Sequence, residues 1–184
     1  RSTSRRGWRG SRSSAVSPRC LEFFDAESFG IVRLAMDDAA WAPYAQAMVY
    51  TEEAGDREPP LEAWLSLGET HGAYDADVRA FDGEQALREA RRLRHAAPAA
   101  MHERAAPFLP QGGRRMSTDW AVPYPLAAAA LAKARRITAA HGLPDAVTYG
   151  HLGNGHPHQN FIARDPAEVK KIENALHETL RAVI

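Results

Sequence analysis

The chain has 184 residues, room for one domain or two, with 45% hydrophobic and 25% charged residues, the proportions of an ordinary globular protein. Those proportions exclude a disordered chain, a collagen-like repeat and a coiled-coil rod. Its 23 basic and 23 acidic side chains cancel, so no global attraction to nucleic acid or anionic lipid follows, and no nucleic-acid partner is expected.

The cancellation is uneven along the chain. The first 20 residues hold six arginines and no acid, whereas the other 164 carry 17 basic and 23 acidic side chains. Residues 1–18 are rich in Arg, Ser and Gly, cannot bury enough apolar area to order themselves, and are predicted to form a flexible basic arm or inter-domain junction. The first residue is Arg rather than Met, so the chain is expected to be a processed product or a portion of something longer. The lone cysteine, Cys20, excludes a disulfide framework within one chain and opens an apolar run as a small buried hydrophobe. No stretch approaches the roughly 18 to 20 apolar residues of a membrane helix, and no signal-peptide core is present. A cytoplasmic protein is expected, or one peripheral at the inner face of the membrane.

Structure is predicted to begin at Cys20 with a strand through Phe24, followed by a turn into a helix at Asp25 to Ser28. Ala47 to Glu52 reads as a second strand, and Gly55 to Pro60 as a turn-rich break. A helix then carries Leu61, Trp64, Leu65 and Gly68 on one face and stops at Gly72. Residues 76–81 around Val78 are predicted as a strand, Gly83 to Ala97 as a helix ended by Pro98, and 98–117 as irregular and basic. Thr118 to Pro123 reads as an alternating strand, Leu126 to His141 as an Ala-rich helix, and Ala146 to Tyr149 and Gln159 to Ala163 as strands. In the last helix Asp165 is the cap, Pro166 the first residue, and Val169, Ile172, Leu176, Leu180 and Val183 an apolar stripe. Short alternating strands among helices predict an α+β fold of ferredoxin-like type, an antiparallel sheet with helices packed on one face.

The segment Tyr149-Gly150-His151-Leu152-Gly153-Asn154-Gly155-His156-Pro157-His158-Gln159-Asn160 carries the chemistry. Its glycines permit left-handed backbone and close approach, and a turn of this kind aims imidazoles at one point. His151 and His158 flank the turn and are predicted to meet across it. His158 and Asn160 are two apart on a strand and share a face. A tight turn with exposed histidines and a phosphate cradle are the competing readings. Two histidines do not complete a zinc site, which takes three protein ligands.

The run Gly150-His151-Leu152-Gly153-Asn154-Gly155, with His158-Gln159-Asn160 beyond it, resembles the Gly-His-x-Gly-Asp-Gly-Asn-x-His-x-Asn motif of the FAD-linked oxidases. That family, with a flavin domain of the vanillyl-alcohol-oxidase type, includes D-lactate dehydrogenases, the glycolate oxidase flavin subunit and D-2-hydroxyglutarate dehydrogenase. Leu21 to Asp25, Arg91 to Pro98 and Ser117 to Pro123 are similar to further blocks of the family's C-terminal domain, in the same order. The resemblance covers residues 17 to 184, so residues 19–184 are expected to be that substrate domain, truncated at its C-terminal end.

The resemblance implies roles residue by residue. His151 and His158 match two catalytic histidines that hold a divalent metal such as zinc. Arg94 matches an arginine that clamps the substrate carboxylate, a task suited to the guanidinium fork. Asn160 matches a polar substrate-binding residue, and Arg115 lies near a basic one. FAD is expected on a domain absent from this chain, on the same polypeptide or a partner subunit, and no FAD-binding residue is expected here. The implied substrate is a small 2-hydroxy acid, the implied assembly a homodimer, and the 184 residues alone are expected to be inactive. Asn154 stands where the family has Asp, and His156 where it has Asn, so the turn loses a charge and gains an imidazole. The family's third metal ligand is a Glu in a later segment. The alternatives are a stand-alone, non-catalytic ferredoxin-like binding module and a small metal-dependent hydrolase built on the histidines.

Overall fold

The computed structural model describes residues 16–53 and 60–184. The basic arm up to residue 15 and the turn-rich break at Gly55 to Pro59 lie outside the described residues.

The chain enters through β1 (Cys20–Asp25) and α1 (Ala26–Ala35), as the sequence predicts. Asp25 makes that junction: its Oδ1 accepts from the Ser28 amide at 2.9 Å, capping α1, and its Oδ2 accepts from the Thr148 amide at 2.8 Å. One carboxylate therefore starts a helix and ties it to a strand 123 residues away. The remaining elements are β2 (Ala47–Glu52), α2 (Leu61–Thr70), α3 (Gly83–Arg94), α4 (Ala96–Ala105), β3 (Arg114–Ser117), α5 (Ala127–Ala140), β4 (Val147–His151), β5 (His156–Ala163) and α6 (Pro166–Val183).

The five strands form one antiparallel sheet in the order β2-β1-β4-β5-β3, which gives the mixed α+β class expected. The helical layer expected on one face is α1, α3 and α4: Phe29, Ile31, Val32, Leu93, Ala97 and Met101 pack there with Phe24, Val147 and Tyr149 of the sheet. The alternate residues Phe161 and Ala163 of β5 face the other way, onto Ile172, Val169 and Leu176 of α6. In α6 Asp165 Oδ1 accepts from the Glu168 amide at 2.8 Å, the cap read from sequence. Ile172, Ala175 and Thr179 are its buried residues, while Leu180 of the predicted stripe is 40% exposed.

Three expectations are corrected. The strand around Val78 is a 3-10 turn at Asp75–Asp77 followed by unpaired chain, because Asp77 bonds outside any ladder: its Oδ2 accepts locally from the Tyr74 amide, and its carbonyl accepts from the distant Trp41 Nε1. Pro98 does not end the helical region. The break falls at His95, and Pro98 sits in the first turn of α4, where a missing N–H costs nothing; Ala97, Met101 and Ala105 then repeat every four residues and are buried. The strand expected at Thr118 to Pro123 is instead Arg114–Ser117. The ladder stops at Thr118 because its hydroxyl accepts the Gln159 amide at 2.8 Å, in place of a strand carbonyl.

Candidate metal and substrate site

β4 ends at His151 and β5 starts at His156, joined by a 3-10 turn at Leu152–Asn154. Two glycines make the connection possible. Gly155 has φ +71°, and a Cβ there would stand 1.9 Å from the Val122 carbonyl oxygen. Gly150 has φ +151°, with the His156 carbonyl oxygen 2.6 Å from the place of a Cβ. The register sets His151 opposite His156 and Tyr149 opposite His158.

Three imidazoles therefore gather at one end of the sheet. Ring centroids are 5.7 Å apart for His151 and His158, 5.9 Å for His151 and His156, and 4.3 Å for His156 and His158. The structure thus brings together the two histidines singled out in the sequence and adds a third. Each is anchored by one ring nitrogen. His151 Nδ1 lies 2.8 Å from Glu22 Oε2, His158 Nδ1 lies 3.1 Å from the Thr118 carbonyl, and His156 Nε2 lies 2.7 Å from Asp119 Oδ1. Burial pushes the His158 imidazole below its ordinary pKa against the Thr118 bond, with His156 and His151 adding to the fall. That favours the neutral ring, the form in which histidine ligates a metal.

Glu22 is the hub of the neighbouring network. It is 4% exposed, on the face of β1 that also carries Cys20 and Phe24. Its carboxylate accepts from His151, from Arg94 and from the Cys20 thiol. Arg94 is thus brought to the cluster, paired with Glu22 and standing 3.9 Å from Glu52. Burial and the Glu22 carboxylate push the Cys20 thiol up to about 11.

Asn160 lies beneath the cluster and is 1% exposed. Its amide donates to the carbonyls of Val147 and His158, and its carbonyl oxygen accepts from Arg115 Nε at 3.0 Å and from the Tyr149 hydroxyl at 3.2 Å. Arg115 also meets His102 and borders a hollow that Leu109 and Ser117 help to line. Sequence reasoning missed Glu22, Tyr149, Asp119 and His102. Glu22 had one signal, an acid at an inward position of an otherwise apolar strand.

The donors suit a divalent cation. His151 and His158 each give one ring nitrogen to a carboxylate or a backbone carbonyl, the arrangement that orients metal-ligating histidines, and each keeps the other nitrogen. No helix of the described residues is long and apolar enough to cross a membrane.

The family model described as FAD linked oxidases, C-terminal domain, matches residues 9–184. No curated protein matches the chain.

Proposed function

The chain belongs to the FAD linked oxidases as a C-terminal domain of that family, and on that premise we propose that it is the substrate-binding portion of an oxidoreductase that oxidises a small 2-hydroxy acid of the D-lactate or glycolate type. The observation that carries the reading is the cluster of His151 and His158, each anchored through Nδ1, beside the guanidinium of Arg94.

FAD belongs to a flavin domain on the same polypeptide or a partner subunit, and the enzyme works in the cytoplasm. When bound, FAD supplies the acceptor for the hydride of substrate C2, and a divalent cation such as zinc at His151 and His158 supplies a Lewis acid for the hydroxyl. Oxidation takes a hydride from C2 and a proton from the hydroxyl, leaving a 2-keto acid. Glu22 holds the Nδ1 proton of His151, so Nε2 carries the lone pair. Where His151 Nε2 stays off the cation, that nitrogen takes the substrate proton, while His158 holds the ion. Arg94 binds the substrate carboxylate, exchanging its loose 3.9 Å contact with Glu52 for a bidentate pair. Asn160 contributes by holding Arg115 at the edge of the site.

The test is anaerobic reduction of the holoenzyme's flavin by a panel of acids. Glycolate or D-lactate should bleach the flavin, and propionate, which lacks the hydroxyl, should not. A flavin reduced by simple alcohols and untouched by every 2-hydroxy acid overturns the proposal.

A further inference from the structure

Two histidines leave a divalent ion short of the three protein ligands that a zinc-type site normally has. Two more donors stand beside them. One ligand atom each from Asp119, His156 and His158 lies within 4.8 Å of the other two, the only such trio among the described residues. We infer that Asp119 and His156 complete, with His158, a divalent-cation site within this chain. The inference rests on reading the histidine cluster as the cation site of the proposed oxidoreductase.

Asp119 is exposed, yet its backbone is fixed on both sides. Thr118, immediately before it, exchanges two bonds with Gln159: its amide donates to the Gln159 carbonyl at 3.0 Å and its hydroxyl accepts the Gln159 amide at 2.8 Å. Val122, three residues on, donates to the Gly155 carbonyl at 3.1 Å. The 118–122 segment is therefore laid along the start of β5 at two points, and Asp119 is held between them. The Gly155 turn presses against the same segment, with no room for a side chain. Thr118 serves twice, since its carbonyl also takes His158 Nδ1 and leaves Nε2 for a ligand bond.

The 2.7 Å bond between His156 Nε2 and Asp119 Oδ1 marks where the ion would enter. With metal–ligand bonds near 2.0 Å, tetrahedral ligands stand roughly 3.3 Å apart. The pair needs to open by only about half an ångström as the shared proton leaves. With His151 off the ion, two imidazoles and a carboxylate suit zinc or cobalt and leave a coordination position for a substrate oxygen.

The full chain, stripped with a chelator, is titrated with Co2+ by its visible absorption and with Zn2+ by calorimetry. Asp119→Asn, His156→Asn, His158→Asn and His151→Asn are titrated alongside, with circular dichroism and thermal melting to confirm that each is folded. The wild-type chain should bind one ion, and Asp119→Asn and His156→Asn should each weaken it about 10- to 100-fold or more. Wild-type affinity in those two variants, with binding lost in His151→Asn and His158→Asn, overturns the inference and leaves the two-histidine reading standing. A wild-type chain that binds neither ion overturns both cation assignments. The oxidoreductase reading is judged separately, by flavin reduction.

Discussion

Glu22 accepts from Arg94, His151 and Cys20 together, although it is almost wholly out of water. Removing its charge leaves a guanidinium and an imidazole without their anion. Glu22→Gln should therefore destabilise the protein by about 2 to 3 kcal/mol, read as a fall in the midpoint of a urea melt. Cys20 gives a second test. The thiolate is the reactive form, and a thiol moved from 9.0 to about 11 has about a hundredfold less of it at pH 8. Alkylation of the folded chain by iodoacetamide should be slower than that of the urea-unfolded chain by roughly ten- to a hundredfold. At this scale the sequence disclosed only part of the site. His151, His158 and Asn160 were legible because glycines crowd around them and a strand period separates the last two. Glu22 and Asp119 were not, because a single acid in a strand or loop looks like any solvated charge until long-range pairing sets it against a histidine.

At the scale of elements, the turn between β4 and β5 depends on Gly155. Alanine there meets both a left-handed backbone angle and a carbonyl oxygen at 1.9 Å. Gly155→Ala should cost about 2 kcal/mol or more from the backbone alone, and in crystals or NMR spectra it should displace the 118–122 segment from the histidines. Elements whose signals are local were legible: the Asp165 cap and Pro166 start of α6, the Asp25 start of α1, and β1, β2, β4 and β5. The misplaced ones depended on partners remote in sequence. Thr118 ends β3 through a hydroxyl bond to Gln159, which alternation cannot reveal. Pro98 looked like a helix stop because the break one turn earlier, at His95, carries neither glycine nor proline.

For the molecule as a whole, the antiparallel order places β4 between β1 and β5. That order carries Glu22 to His151 and lays the β5 histidines beside them, so the sheet itself assembles the site. The α+β class and the family were legible in the sequence, the first from short alternating strands and the second from the Gly/His motif and the order of the weaker blocks. The seat of α6 against Phe161 and Ala163 was not, because an apolar stripe does not say which residues it covers. The proposed function requires the histidine cluster to take part in oxidising a 2-hydroxy acid. It is tested most directly by the rate of anaerobic flavin reduction by glycolate or D-lactate in the holoenzyme, for wild type, His151→Ala and His158→Ala. Both variants should slow reduction at least about a hundredfold while keeping their flavin. Reduction at the wild-type rate in both would remove the histidines from the reaction.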